Sequence, residues 1–227
     1  MSIYLAIETS TPLGSVALGD SENILAEIAL GVQTRHSEEL LPAIDFMLRT
    51  ARVDRRQIEG IVVGGGPGSF TGLRIAAASA KAMATALKVP LFAYSGLAAL
   101  AAGVAQSDRI VCALFDARRG EVYGACYRFP EIQRMQTVME PAPRVLAEML
   151  AQVDVPATVF VGDGALRNAE VLNAAGAQIA PAHFATPRAA ALLWLSGVMP
   201  KAGLIENIAQ WEPLYLRDSG AERMKAR

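Results

Sequence analysis

Two acidic side chains stand where an apolar run breaks into a turn: Glu8 in Ala6-Ile7-Glu8-Thr9-Ser10-Thr11, and Asp116 in Phe115-Asp116-Ala117-Arg118-Arg119-Gly120. Carboxylates that faced each other across a cleft could serve a phosphate-bound substrate or act as general bases. The same residues can equally cap their own turns by accepting from nearby backbone amides. A third turn, Gly162-Asp163-Gly164, carries another acid. A glycine-rich string, Gly64-Gly65-Gly66-Pro67-Gly68-Ser69-Phe70-Thr71-Gly72-Leu73-Arg74, leaves an apolar strand and enters a helix. Its glycines permit positive φ and close backbone approach, and the amides opening the following helix could bind an anion. The string has neither the lysine and spacing of a phosphate-binding P-loop nor the pattern G-x-G-x-x-G.

Other chemistries lack their residues. His36 and His183 are the only two histidines, and neither has a second histidine three or four positions on, so no helical metal pair can form and no metal is expected. No Ser-His-Asp or Cys-His set can be assembled from sequence order, which does not show convergence in space. Cys112 and Cys126 each lie inside an apolar strand-like run, and both are expected to be reduced core residues of a cytoplasmic protein. The first residues, Met1 to Glu8, are too short an apolar run for a secretory signal, and no stretch is long and charge-free enough to span a membrane. A net charge of -1 argues against a free-standing nucleic-acid reader, which carries a basic excess. Basic spots at Arg52, Arg55 and Arg56, at Arg118 and Arg119, and in the tail at Arg217, Arg223, Lys225 and Arg227 read as solvated surface.

The elements that must position these residues repeat. Apolar alternation and turn residues predict strands over Ile3 to Ile7, Gly14 to Gly19 and Asn23 to Leu30, then a helix over Ser37 to Ala51 and a strand at Ile61 to Val63. After the glycine string come a helix to Lys88, a strand over Leu91 to Tyr94 and a helix over Leu97 to Ala105. From Arg109 the order restarts, with strands Ile110 to Phe115, Glu121 to Phe129 and Gln133 to Glu140, a helix Arg144 to Gln152, a strand Thr158 to Val161 and a helix Arg167 to Ala175. A late helix, Arg188 to Met199, precedes a proline-interrupted tail. Two copies of βββαβα predict an α/β protein of duplicated ribonuclease-H-like domains, the plan of the actin, sugar-kinase and heat-shock ATPase superfamily. Residues 1–106 form the first domain, and residues 107–227 form the second, with the late helix and tail packing back toward the first. In that plan Glu8, Thr9, Ser10, Asp116, Arg118, Gly162, Asp163 and Gly164 border a nucleotide cleft, here a vestigial one. Fold alone does not establish activity.

Two helices carry more apolar face than one core needs. At about 100° per residue, Leu40, Leu41, Ile44, Met47, Leu48 and Ala51 fall in one stripe. Phe46 lies outside that stripe, near Glu39 and Thr50. In the helix ending at Lys88, Arg74, Lys81, Thr85 and Lys88 form a narrow polar strip and alanines cover most of the rest. The excess is expected to form a helix-to-helix interface with a partner, made of His36, Ser37, Glu38, Ala43, Phe46, Met47, Ile75, Ala78 and Ala82, unless flanking helices of the same chain cover it.

The string Gly66-Pro67-Gly68-Ser69-Phe70-Thr71-Gly72-Leu73-Arg74, read with Arg35-His36-Ser37-Glu38-Glu39-Leu40-Leu41-Pro42, resembles the TsaB family, also called YeaZ. Ala6-Ile7-Glu8-Thr9-Ser10, Asp116 to Tyr123, Gly162-Asp163-Gly164 and Pro213-Leu214-Tyr215-Leu216-Arg217 extend the resemblance over nearly the whole chain. Glu8 departs from it, since the family often has aspartate there. The resemblance implies a cytoplasmic, non-catalytic organising subunit without a cofactor. It would pair with the catalytic paralogue TsaD and the ATPase TsaE in the complex that moves a threonylcarbamoyl group from its adenylate onto the adenosine beside the tRNA anticodon, while for the isolated chain both a monomer and a homodimer through the same helices stay open. The competing expectations are a phosphotransferase or ATPase acting through Glu8 and Asp116, a glycoprotease-like peptidase, and a free-standing tRNA-binding module.

Overall fold

A computed structural model describes residues 2–31, 36–105, 108–118, 120–131 and 133–215, with His36 and Ser37 described in their backbone alone. In the first half, β1 (Ile3–Glu8), β2 (Gly14–Gly19) and β3 (Ile24–Leu30) form an antiparallel meander. The helix α1 (His36–Ala51) follows, then β4 (Ile58–Gly64), α2 (Phe70–Leu87), β5 (Leu91–Tyr94) and α3 (Gly96–Ala102). The second half repeats this with β6 (Ile110–Asp116), β7 (Glu121–Glu131), β8 (Arg134–Val145), α4 (Leu146–Leu150), β9 (Thr158–Val161), α5 (Asp163–Arg167), α6 (Ala169–Ala174) and β10 (Gln178–Ile179). The strand orders are β3-β2-β1-β4-β5 and β8-β7-β6-β9-β10, the same permutation twice. In each sheet the first strand is antiparallel to the second and parallel to the fourth. This is the duplicated ribonuclease-H-like plan of the actin and sugar-kinase superfamily.

Alternation along the strands sets five layers. On the first sheet Leu5, Ile7, Val16, Leu18, Ile61 and Val63 face α1 and α2, while the smaller Ala6, Ala17 and Val62 face the middle of the molecule. That small-residue face lets α3 and α7 (Ala189–Val198) pack between the two sheets. α7 is apolar on nearly every side, as a helix enclosed by both sheets must be. The outer face of the second sheet, with Cys112, Leu114, Val122, Cys126 and Phe160, is covered by α4, α5 and α6. α7 is fixed at its start by the first half: Ser15 Oγ accepts from the Ala189 amide at 2.8 Å, and the Glu27 carboxylate accepts from the Ala190 amide and the Arg188 guanidinium. Among the described residues no helix is long and apolar enough to cross a membrane.

Four expectations are corrected. The predicted helix from Arg144 to Gln152 shrinks to α4, because β8 continues to Val145. Pro141 and Pro143 lie in that continuation; they would break a helix, but on an edge strand they leave no ladder donor missing. The two-residue β10 gives no periodic signal and was not expected. Leu41 is 55% exposed and sits on the flank of α1 rather than in its buried stripe. Finally, Cys112 and Cys126 are joined in a disulfide, not reduced. They are directly opposite in the β6–β7 register, with Cα atoms 4.1 Å apart and side chains on one face, a proximity that register alone creates.

Candidate functional site

The ends of the first strand in each half are built alike. Glu8 ends β1, and its Oε1 accepts from the Ser10 amide at 2.6 Å. Asp116 ends β6, and its Oδ1 accepts from the Arg118 amide at 3.0 Å. Each carboxylate thus caps its own turn through the amide two residues on. Asp116 also pairs with Arg167 Nη1 at 2.8 Å, and its amide donates to Asp163 Oδ1 at 3.2 Å. Among the described residues no hydrogen bond joins the two acids, and each is engaged in its own turn.

The glycines explain why the first turn is closed. The Gly64–Gly72 segment after β4 lies flat against Glu8, Thr9 and Ser10, and Ser69 N donates to Ser10 O at 2.7 Å. A Cβ at Gly64 would overlap the Glu8 carboxylate, at Gly68 the Ser10 backbone, and at Gly72 the Thr9 carbonyl oxygen. Thr9 Oγ1 donates to Gly72 O at 2.8 Å, locking the same contact. Within the loop, Gly65 N donates to Tyr94 O and Gly66 O accepts from Gly96 N, while Ser69 caps α2 through Gly72 N. The glycines serve close packing, and the Gly65, Ser69 and Gly72 amides are already engaged. The second half has the equivalent arrangement. Gly162, with φ 115°, and Gly164 lie against the end of β6, where a Cβ would overlap backbone of Leu114 and Phe115.

Thr9, Ser10 and Thr11 are buried, and Glu8 has no solvent exposure. Burial pushes the Glu8 carboxyl above the ordinary range, and hydrogen bonding to Ser10 offsets only part of that. Glu8 Oε2 and the Ser10 hydroxyl have no hydrogen-bond partner. Asp163 is also raised by burial, with the Asp116 and Gly164 amides opposing. A carboxyl buried under packed backbone, whose charged form burial disfavours, is poorly placed to serve a substrate in solution. Its folded value lies above the unfolded one of about 4.3, so it destabilises the fold progressively as pH rises from there toward the folded value, by at most about 1.4 kcal/mol per pH unit. Glu8→Gln cannot ionise, so its stability relative to the parent should climb between about pH 5 and about pH 8 in urea unfolding. An equal difference at both values would show that Glu8 is not buried in its acid form.

The second group of expected residues lies elsewhere, on the outer helices. Phe46 is 57% exposed, and Glu38, Ala78 and Ala82 are exposed, with Ala43 and Ile75 half-buried beside them. Met47 does not belong to that face: it is 1% exposed and lies on the core stripe of α1 with Leu40 and Ile44. The side chains of His36 and Ser37 lie outside the described residues, as do Arg35, Arg119 and the tail from Leu216 on; the backbone places His36 as the first residue of α1. Arg74 stacks its guanidinium 4.0 Å over the Phe70 ring, which packs on Tyr215 at 5.1 Å. Lys81 Nζ donates to Ala209 O at 2.8 Å and Trp211 O at 2.9 Å, and Leu214 N donates to Gly65 O. The tail is thereby tied across α2 and the glycine loop, and Lys81 is the tie that the sequence did not single out. The polar position of Lys81 on an otherwise alanine-rich helix was its one local signal. Among the described residues no three His, Cys, Asp or Glu side chains gather to hold a metal ion.

Residues 24–225 match the family model described as TsaD, tRNA N6-adenosine threonylcarbamoyltransferase. The tRNA threonylcarbamoyladenosine biosynthesis protein TsaB of Bacillus subtilis strain 168 is 32% identical over 96% of this chain and 95% of its own length. The chain belongs to the TsaB family. The TsaB protein of Escherichia coli K12 is 30% identical over the same shares of the two chains. Among solved structures, YeaZ from Pseudomonas aeruginosa superposes with a TM-score of 0.81 at 30% identity, covering 95% of this chain and all of that one.

Proposed function

We propose that this TsaB-family chain acts in tRNA threonylcarbamoyladenosine formation as a non-catalytic, organising subunit in the cytoplasm, paired with the catalytic paralogue TsaD and served by the ATPase TsaE. The observation that carries the reading is the packing of the strand-end turns: both carboxylates cap their own turns, and the glycine-rich segments are packed onto those turns. The outer face of α1 and α2, with Phe46, Ala78 and Ala82, is then the docking face for TsaD. The family model matching this chain is that of the transferase itself, so the catalytic subunit shares the fold and carries a helix pair able to meet this one about a pseudo-twofold axis. The same geometry would serve a homodimer of the isolated chain.

In a reconstituted reaction containing TsaD, TsaE, ATP, threonylcarbamoyl-adenylate as the group donor and unmodified tRNA, threonylcarbamoyladenosine in digested tRNA should depend on this chain, as read by mass spectrometry. The purified chain alone should show no ATP turnover approaching about 1 per second, a common enzyme rate. Undiminished modification without the chain, or turnover of that size abolished by Glu8→Ala or Asp116→Ala, would overturn the reading.

A further inference from the structure

We infer that a cluster of arginines at the foot of α1 is a contact for the phosphodiester backbone of RNA, a site separate from the docking face. The inference takes its ligand from the proposed role in tRNA modification. Asp45, Leu48, Arg49, Arg52, Val53, Asp54, Arg55 and Arg56 line an open concavity of about 520 Å³. Arg49 pairs with Asp45 at 3.0 Å, and Arg56 grips Asp54 through Nε at 3.1 Å and Nη2 at 3.4 Å. Those pairs use both carboxylates of the concavity. Arg52 and Arg55 are exposed and make no ion pair or side-chain hydrogen bond. Two positive charges therefore remain on one concave surface of a chain whose overall charge is -1.

Local structure holds these arginines in place. α1 ends with Val53 N donating to Leu48 O at 3.0 Å and Arg52 in the left-handed region at φ 55°, a position where glycine would close the helix at lower cost. Asp54 then opens a 3₁₀ turn over Arg55–Gln57: its side chain accepts from Arg56 N, and Gln57 Oε1 accepts from Asp54 N. A helix C-terminus attracts cations, which accounts for Arg49 and Arg52. It does not account for Arg55 and Arg56, which lie beyond the helix end on the following turn. Guanidinium groups suit phosphate oxygens because their planar donor fork matches them. Arg52 and Arg55 can bind a phosphate without first breaking an ion pair, since Asp54, already gripped by Arg56, acts on Arg55 only through space.

Two such contacts give weak binding at physiological salt and binding that strengthens steeply as salt falls. The test is titration of the full-length chain with an unmodified tRNA transcript over a salt series starting near 20 mM, where screening is weak. Arg52→Glu/Arg55→Glu should weaken binding by roughly 10-fold at the low-salt end and flatten the slope of log affinity against log salt by about two, one per phosphate contact. Arg52→Lys/Arg55→Lys should retain most of the affinity, since charge is kept, and the melting temperature of both variants should match the parent. Arg134→Glu/Lys201→Glu changes the net charge equally at exposed positions away from the concavity and should leave the slope unchanged. If that control loses as much as the arginine variant, or if the arginine variant keeps the parental slope, the site is wrong. A failure of the reconstituted modification reaction would instead strike the functional reading, because this titration reads phosphate contact without any modification chemistry.

Discussion

Phe46→Asp should abolish tight association with TsaD while leaving the chain folded. Phe46 is 57% exposed, so the free chain loses little by the change. In a helix-to-helix contact the same position would be desolvated and filled by an aromatic ring, and charged replacement of such an anchor costs on the order of 2 to 4 kcal/mol. That corresponds to a loss of affinity of roughly 30-fold to 1000-fold. Calorimetric titration of TsaD with the variant, after circular dichroism has confirmed its fold, reads the effect directly. Val138→Asp is the matched comparison: Val138 is 51% exposed on β8 in the other half, and its replacement should leave affinity unaltered. Parental affinity in the Phe46 variant would remove the anchor and the proposed placement of the interface with it.

Gly72→Ala should be the most damaging one-methyl change in the first half. The added Cβ would overlap the carbonyl oxygen of Thr9, and both partners are backbone, so no side-chain rotation can relieve it. Thr9 and Gly72 are also tied by the Thr9 Oγ1 hydrogen bond. Overpacking of this kind costs about 3 kcal/mol, which for a chain of this size lowers the melting temperature by roughly 6 to 12 °C. Gly103→Ala provides the contrast, because Gly103 has φ -62° and its nearest neighbour would stand 3.4 Å from the new methyl. A helix-compatible Gly→Ala change reduces unfolded-state freedom and should be neutral or slightly stabilising. Equal melting temperatures for Gly72→Ala and the parent would show that the loop gives way, and that its glycines are not there for close packing.

The glycine string was visible in the sequence, but its purpose was not. Glycine there is compatible with anion binding and with close packing, and the choice depends on whether Thr9 and Ser10, more than fifty residues away, lie against it. Glu8 and Asp116 were found in the same way, by their position at strand ends, and the possibility that they cap turns was already open. The hydrogen bonds to Ser10 and Arg118 are what the structure adds to the capping reading. The basic run at Arg52, Arg55 and Arg56 looked like solvated surface because sequence shows neither which arginines are paired nor that Arg49 joins them. Met47 and Phe46 are neighbours in sequence, yet one is in the core and the other on the surface, since about 100° separates successive side chains on a helix.

What the sequence determined by itself is the order of elements, the duplication and the family. Strand alternation and helix stripes are written within a few residues of one another, and the motifs are contiguous strings. Tertiary structure alone decided the features that depend on register and on distant segments meeting. The β6–β7 register placed Cys112 opposite Cys126. A two-residue β10 completed the second sheet because β9 was there to pair with it. The packing of one loop on another closed the strand-end turns, since a backbone surface becomes a binding site or a filled contact only when the fold fixes what lies against it.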